Sequence, residues 1–343
     1  LLMRGSFVLL MLVLGAQILQ AAGFWDLGFK NWQPTAIVYV TWAVCLCIGQ
    51  VLVRGEQGKR ILFILPAALF VVSLTVIPLL LGVAIAFTDW NLSSFAGPKF
   101  AGLGNIERML NDSFYWNALG NMVFYTVLVF GEYAIAFGLA LLLSAQIRAR
   151  RFFRVAFLLP LMLSPVAVGW MIGKSMLDFR FGPVANLARL LGWEEPAFFA
   201  SADVARLTMA LLDAWIFIPF MMIMLLAGLQ ALPTEVIEAA RVDGASAWQN
   251  FRKIIFPLML PVSLTAIVVR IIFKLKLADI VITITAGGPG GATDTVTSFI
   301  FREYKDRSNV GYGTLLAIFY LIIIVIGLTL LIRGLSRWMR PYT

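Results

Sequence analysis

Long apolar runs separated by short polar or basic segments set the pattern of the chain. About 20 mostly apolar residues cross a bilayer as a helix, and about eight segments reach that length. They run approximately over Phe7–Phe24, Ala36–Val53, Ile61–Thr88, Met122–Ala145, Phe152–Ile172, Leu207–Leu229, Pro257–Thr285 and Gly313–Ile332. Each should be helical, because the hydrocarbon core offers backbone amides no water. The pattern predicts an all-α polytopic membrane protein.

The first run follows Arg4 and has the general look of a signal peptide. A cleavable signal usually has an apolar region of about 7–15 residues, and this run is longer. We therefore interpret Phe7–Phe24 as a retained span.

Composition agrees with a membrane protein and excludes several kinds of site. The chain is 61% hydrophobic and 13% charged, against roughly 45–50% and about 25% for soluble domains. Its formal charge of +9 is better explained by cations flanking membrane spans than by a nucleic-acid partner. Cys45 and Cys47 are the two cysteines and histidine is absent, so a closed metal site would lack ligands.

Basic residues predict how the spans are oriented. Clusters fall in alternate connections and near both termini: Arg4; Arg54, Lys59, Arg60; Arg148, Arg150, Arg151, Arg154; Arg241, Arg252, Lys253; Arg333, Arg337, Arg340. If the spans alternate, all of these lie on one side, which the positive-inside rule makes the cytoplasm. Both termini are then cytoplasmic. The longer loops Asp89–Asn121, Leu177–Arg206 and Ala286–Gly311 are expected outside.

One basic-side connection, Leu232–Pro261, has a distinct pattern. Val236, Ala239 and Ala240 form a narrow apolar face at helical spacing. Gly244 then interrupts the helix, since glycine is a poor helix former and readily reverses the chain. A second helix follows and leads into the next span at Pro257. Physical reasoning alone leaves open an ordinary amphipathic loop on the membrane surface.

This segment resembles the coupling motif of permease subunits in type I ABC importers. The matching residues are Glu238, Ala239, Ala240, Asp243, Gly244, Ile254 and Pro257. Asp243-Gly244-Ala245 and Pro261 are typical of the carbohydrate-uptake branch, while Phe256 stands where that family usually has leucine. The resemblance implies a coupling helix at about 232–256 that contacts an ATPase subunit.

Two further stretches resemble the same branch. Thr285–Pro289 with Ala292–Thr295 is similar to an external loop of carbohydrate permeases, and Thr88–Asn91 to the end of their first core span. The resemblance covers Ile61 to the C-terminus and extends to glycerol-phosphate and polyol permeases. It implies a six-helix permease core over 61–343. Residues 1–60 then hold two additional spans, similar to those of the larger maltose-permease subunit.

The resemblance also implies the partners. The sequence has no Gly-x-x-x-x-Gly-Lys-Ser/Thr phosphate loop, so we expect a non-catalytic subunit without a cofactor. ATP and Mg would bind to two partner ATPase subunits. A second homologous permease, an external substrate-binding protein, membrane lipid and a carbohydrate-type solute complete the expected set. The expected location is the cytoplasmic (inner) membrane of a bacterium or archaeon.

Ionisable residues inside spans are candidates for the solute path, because such residues usually line a cavity. The path residues that we predict are Trp170, Asp213, Trp215, Phe217, Lys274, Lys276 and Asp279. The carboxylates would accept sugar hydroxyls, and the aromatic rings, with Phe220, would stack on the sugar. The alternative is that these charges pair with one another, and we favour pairing for Glu132. Arg270 is interpreted as an inter-subunit or cytoplasm-facing contact.

Four functions remain to be compared. A carbohydrate or polyol permease is the main hypothesis. Arg270, Lys274 and Lys276 motivate an anionic substrate such as a sugar phosphate or acidic oligosaccharide. A membrane-embedded enzyme has little support without histidine or a nucleophile–base arrangement. An ion channel or scaffold working without ATP disagrees with the coupling motif.

Overall fold

The computed structural model describes residues 2–24, 26, 28–95, 97–145 and 148–339. Arg340 and the side chains of Arg241 and Arg337 lie outside the described residues. In chain order the helices are α1 (Leu2–Ala21), α2 (Gln33–Ala86), α3 (Gly104–Asn111), α4 (Ser113–Ser144), α5 (Arg150–Met162), α6 (Pro165–Val168), α7 (Pro183–Leu190), α8 (Ala202–Gln230), α9 (Thr234–Val242), α10 (Ala247–Asn250), α11 (Phe256–Leu275), α12 (Asp279–Ile284), α13 (Val296–Lys305) and α14 (Val310–Met339). Two π-helical segments, Gly169–Met176 and Phe251–Ile255, follow α6 and α10. The predicted all-α membrane architecture is confirmed.

Helix α2 is a hairpin rather than one rod. Its 54 residues would measure about 80 Å as a straight helix, far more than the roughly 30 Å hydrocarbon core. Gly55 has φ 55° and ψ −124°, which are not helical values. A Cβ on Gly58 would lie 2.1 Å from the carbonyl oxygen of Gln50, and Tyr39 donates a hydrogen bond to the carbonyl of Leu69. The two arms therefore run back along each other from Gly55.

Two spans predicted as continuous are broken. Between α5 and α6 the axis bends by 91°. Leu163 and Ser164 are extended there, and the ring of Pro165 disfavours a helical conformation at Ser164, the residue before it. Helix α11 likewise ends at Leu275, and α12 begins at Asp279. Non-helical backbone inside a membrane span is tolerated where protein or a water-filled cavity surrounds it.

The chain forms two compact units. The first comprises Leu1–Asp112 and Ile300–Leu321, and the second comprises Ser113–Phe299 and Ile322–Thr343. In the second unit α4, α8 and α11 enclose an apolar core that includes Val129, Ala136, Met222, Met259 and Ile271. Small residues permit this close packing, because a Cβ on Gly228 would lie 2.9 Å from Val262.

Three short helices lie in connections that the sequence pattern predicts as loops: α3, α7 and α13. Over the described residues, six helices are long and apolar enough to span a membrane, or seven if the bent α5–α6 pair is one span. The predicted number of about eight would require both arms of α2 to cross the membrane. That number stays a prediction.

Candidate functional site

The segment that resembles a coupling motif is a helix–glycine–helix unit. Helix α9 ends at Val242, and Gly244 follows with φ +79°. The amide of Ala245 donates to the carbonyl of Ala240 at 2.9 Å, which makes Gly244 the left-handed residue of a Schellman motif. The side chain of Ser246 accepts from the amide of Gln249, whose side chain accepts in return from Ser246, so a capping box starts α10. The turn is therefore fixed from both sides.

The residues of the motif divide by exposure. Glu238, Ala239 and Asp243 are exposed, and Gly244 is also open to solvent. Ala240 is buried, and Ile254 and Pro257 are half-buried at the start of the following span. The exposed members are two carboxylates and two small residues, Ala239 and Gly244, beside which another protein could approach the backbone closely.

Aromatic side chains join the motif to the core of the second unit. The rings of Trp248 and Phe251 stack with centroids 5.5 Å apart. Phe251 meets Phe137 of α4 edge-on at 5.8 Å, and Phe256 lies 6.2 Å from the same ring. The predicted shared face of Trp248, Phe251 and Ile255 is confirmed, since all three line one apolar groove against α4. These ring contacts therefore connect α10 to α4.

Four charged side chains meet inside the same unit. Glu132 lies on α4, Asp213 on α8, and Arg270 and Lys274 one turn apart on α11. Arg270 Nε donates to Glu132 Oε2 at 2.6 Å, and Lys274 Nζ donates to Glu132 Oε1 at 2.8 Å. Both cations also donate to Oδ2 of Asp213. The four charges sum to zero, because two carboxylates balance two cations, and each carboxylate contacts both cations across three helices.

This charge cluster is closed to water. The exposed fractions are 0% for Arg270 and Lys274, 1% for Asp213 and 4% for Glu132. The Arg270 guanidinium also lies 4.5 Å from the centroid of the Phe217 ring. Buried ions need such pairing, because an uncompensated charge in an apolar interior is strongly destabilising.

The charge cluster bears on three interpretations from the sequence. The expected pairing of Glu132 is confirmed. Arg270 is not a cytoplasm-facing contact, because its guanidinium is enclosed and bound by two carboxylates. Lys274 does not lie on an open wall, because its ammonium group is also enclosed and bound by both. Arg270 and Lys274 are flanked by apolar residues in the sequence, and this pattern does not show which neighbouring helix each side chain faces.

The other predicted path residues gather near the break between α11 and α12. A cavity of 180 Å³ is bordered by Asp213, Phe217, Lys276 and Asp279, together with residues including Pro165 and Phe273. Lys276 and Asp279 are exposed, whereas Phe217 is half-buried against Phe273, with ring centroids 5.8 Å apart. Asp213 thus borders the cavity and also belongs to the charge cluster.

Trp170 and Trp215 lie outside this cavity. Trp170 is 57% exposed, and the ammonium of Lys174 lies 4.5 Å from its ring centroid. Trp215 is 42% exposed and borders a separate apolar pocket with Leu211 and Phe198. The structure therefore groups Lys276, Asp279 and Phe217 and leaves the two tryptophans apart from them.

Sequence reasoning missed two residues that shape this region. Pro165 breaks the bent span and borders the cavity, and its position after Ser164 was the available signal. Phe273 packs between Phe217 and Phe220, with the latter centroid 5.4 Å away, and nothing in the local pattern marks it. No cluster of three or more metal-ligating side chains occurs among the described residues.

Comparison with known proteins gives a consistent result. A family model described as "Binding-protein-dependent transport system inner membrane component" matches residues 60–341. The sulfoquinovosyl glycerol transport system permease protein SmoG of Agrobacterium fabrum is 31% identical over 265 residues, covering 77% of this chain and 86% of that protein. The trehalose/maltose transport system permease protein MalF of Thermococcus litoralis is 30% identical over 242 residues, covering 70% and 81%. The probable starch degradation products transport system permease protein AmyD of Thermoanaerobacterium thermosulfurigenes is 28% identical over 268 residues, covering 77% and 89%.

Solved structures show the same fold. A bacterial ABC transporter involved in the import of the acidic polysaccharide alginate has a chain with TM-score 0.67 and 18% identity. The match covers 83% of this chain and 98% of that one. The same kind of transporter in complex with an alginate pentasaccharide-bound periplasmic protein has TM-score 0.65 and 18% identity, covering 91% and 99%.

Proposed function

The chain belongs to the family of binding-protein-dependent transport system inner membrane components, and from this membership we propose that it forms half of the translocation path for a sugar, oligosaccharide or polyol. As a permease of this family it is a membrane subunit of an ABC importer rather than an enzyme. The observation that carries the proposal is the helix–glycine–helix unit, with Glu238 exposed beside the turn at Gly244.

We propose three kinds of protein partner: two ATPase subunits, a second permease and an external substrate-binding protein. Glu238, Ala239 and Asp243 would contact one of two ATPase subunits, which bind ATP and Mg, and Glu238 would face a cationic side chain there. A second homologous permease would complete the path. An external substrate-binding protein would deliver the solute, and the similarity to a transporter in complex with a periplasmic protein supports this partner.

Placement of the subunit follows the basic residues. We propose a multi-pass protein of the bacterial or archaeal inner membrane with both termini in the cytoplasm. We call the helix–glycine–helix unit formed by α9, Gly244 and α10 the coupling unit. The exposed cations Arg252 and Lys253 follow α10 and support a cytoplasmic position for this unit. The family match begins at residue 60, which supports a permease core over 61–343 and two additional spans in residues 1–60.

The charge cluster favours a neutral solute over an anionic one. Arg270 and Lys274, which motivated the anionic alternative, are already neutralised by Glu132 and Asp213. Lys276 is exposed beside the cavity, but Asp279 lines the same cavity and offsets its charge. Relatives named for starch degradation products and for trehalose/maltose also support neutral carbohydrates.

Uptake by the complete transporter tests the proposal. The chain would be reconstituted into proteoliposomes with its second permease, both ATPase subunits and the binding protein. We expect ATP-dependent uptake of at least one labelled neutral sugar or polyol from a panel that includes maltose, trehalose and glycerol. Sugar phosphates and uronate oligomers form the anionic arm. Uptake confined to the anionic arm, or uptake without ATP, would contradict the proposal.

A further inference from the structure

A further cavity, separate from the helix–glycine–helix unit and from the charge cluster, lies at the end of the bent span. It has a volume of 640 Å³ and lies between the end of the segment Gly169–Met176, α7 and the loop before α8. Ligand pockets for small molecules usually measure about 300–1,000 Å³. We call this cavity the vestibule, because the proposed orientation places it on the external side.

Aromatic rings form one part of the vestibule wall. Phe179, Phe198 and Phe199 all border it, and Phe179 is 51% exposed. Trp193 packs edge-on against Phe198 with ring centroids 5.0 Å apart, which holds that ring in place. Exposed ring faces are apolar and electron-rich, and they suit the C–H faces of a pyranose.

Polar groups form the rest of the wall, and two of them are already engaged. Asp178 Oδ1 accepts from the backbone amide of Arg180 at 2.8 Å. Arg189 donates to the carbonyl of Phe179 and, at 2.7 Å, to Asn186 Oδ1. Both side chains therefore brace the loop rather than offering their full binding capacity to a ligand.

Three further charges remain available. Within the described part of the chain, no hydrogen bond or ion pair engages the carboxylates of Glu194 and Glu195, which are exposed in the vestibule wall. Lys174 also borders the vestibule from the end of the bent span, with its ammonium group 4.5 Å from the centroid of the Trp170 ring. Carboxylates accept hydrogen bonds from hydroxyls, and ammonium groups donate to them. Charges of both signs beside apolar rings therefore fit a neutral polyhydroxylated ligand.

We propose that the vestibule is a receiving subsite for a neutral oligosaccharide, which it binds weakly before the sugar passes toward Trp170. The inference rests on the proposed importer function and orientation. Gly173 and Ile284 both line the vestibule, and a Cβ on Gly173 would lie 2.4 Å from Ile284 Cδ1. This contact joins the bent span to α12. Both of these elements also border the 180 Å³ cavity near the charge cluster.

The lining combines aromatic rings with charged groups. A sugar with hydroxyls on its edge and C–H groups on its faces would contact the rings and the carboxylates at the same time. A uronate chain would be repelled by Glu194 and Glu195, and Lys174, whose ammonium group already lies over the Trp170 ring, would be the cation left to offset that repulsion.

Protection of a cysteine tests the subsite in the assembled transporter. Cys45 and Cys47 would be replaced by alanine, and Ala200→Cys would place a reporter in the vestibule wall. An impermeant maleimide would be added to proteoliposomes with or without maltoheptaose, a neutral glucose oligomer. Protection follows 1 + [L]/Kd, so labelling should slow about threefold when the sugar is at twice its dissociation constant.

Variants of the wall and matched controls decide the outcome. Phe179→Ala and the double change Glu194→Gln with Glu195→Gln should abolish protection. Glu107→Gln, an exposed carboxylate on α3, should leave protection intact, and a Ser94→Cys reporter should not be protected. Equal labelling with and without maltoheptaose, or protection by a uronate oligomer alone, would overturn the subsite. If wild-type vesicles still import maltoheptaose in that case, only the subsite fails; absence of all carbohydrate uptake would count against the proposed function.

Discussion

Individual charges in the spans are held by one another rather than by solvent. Glu132, Asp213, Arg270 and Lys274 have at most 4% exposure and connect α4, α8 and α11 by four ion pairs. Removing one partner of a buried pair leaves the remaining charge without compensation, at a cost of about 3–5 kcal/mol. The charge cluster therefore stabilises the packing of these three helices.

Neutralising one member of the charge cluster should destabilise the protein. We expect Asp213→Asn or Lys274→Gln alone to lower the free energy of unfolding by about 3–5 kcal/mol, measured by thermal unfolding in detergent. The double change leaves the pair Arg270–Glu132, so it should cost less than the sum of the single changes. Asp279→Asn, an exposed carboxylate, is the control and should be nearly neutral. Additive single and double effects would contradict a coupled cluster.

The sequence indicated part of this arrangement. Pairing of Glu132 was expected, and its partners Arg270 and Lys274 lie one turn apart on the same face of α11. The partners of Asp213 and Lys274 were not predictable, because the rotation of each span about its axis depends on tertiary packing. For the same reason Phe273 could not be assigned beside Phe217 from local spacing.

At the scale of elements, glycines set the geometry at two places: the turn after α9 and the contact between the bent span and α12. Gly244 needs a left-handed backbone, with φ +79°, and has open space around a would-be Cβ. Gly173 instead needs the absence of a side chain, because Ile284 lies directly against it. The first glycine forms the turn of the coupling unit, and the second allows the bent span to contact α12.

Substitutions at Gly244 should uncouple ATP hydrolysis from uptake in a graded way. Alanine pays only the left-handed backbone cost of about 1–2 kcal/mol, so Gly244→Ala should reduce uptake per ATP modestly. Gly244→Pro cannot reach a positive φ and should abolish uptake while ATPase activity remains, both measured in proteoliposomes. Gly102→Ala, at φ +59° with equally open space, is the matched control. If Gly244→Pro keeps the normal ratio of uptake to ATP hydrolysis, the segment around Gly244 does not couple the two.

Crowding at Gly173 should be relieved by shortening its neighbour. Gly173→Ala places a methyl group 2.4 Å from Ile284 Cδ1, and overpacking of this kind costs about 1–3 kcal/mol. Ile284→Ala in the same chain should recover part of that loss in thermal unfolding. Gly131→Ala, where a Cβ meets nothing within 4 Å, should not destabilise. If the double variant is no more stable than Gly173→Ala, the contact with Ile284 is not the cause of the destabilisation.

Sequence patterns predicted the elements more reliably than their breaks. The turn at Gly244 and the basic connection around Gly55 follow from local chemistry, since both positions adopt positive φ. The bend before Pro165 had a local signal in the pre-proline residue, but the apolar run continued through it. The end of α11 at Leu275 had no such signal.

At the scale of the whole molecule, the number of spans depends on α2. Its length, its reversal at Gly55 and the contact between Tyr39 and Leu69 favour two arms. Each arm is long enough to cross a bilayer, because about 20 residues suffice. Two crossing arms would give about eight spans and place Arg54, Lys59 and Arg60 with the other basic connections.

Cysteine labelling in intact cells tests this topology. With Cys45 and Cys47 replaced, we expect Glu56→Cys at the tip of the hairpin and Ala149→Cys to be protected from an impermeant maleimide, because the basic connections face the cytoplasm. Asn31→Cys, before α2, and Ser94→Cys, after it, should both be labelled, as should Ser201→Cys. Permeabilised cells supply the control, in which all five exposed positions should react. Labelling of Glu56→Cys in intact cells would show that the arms of α2 do not both cross the membrane, and labelling of Ala149→Cys would reverse the proposed orientation.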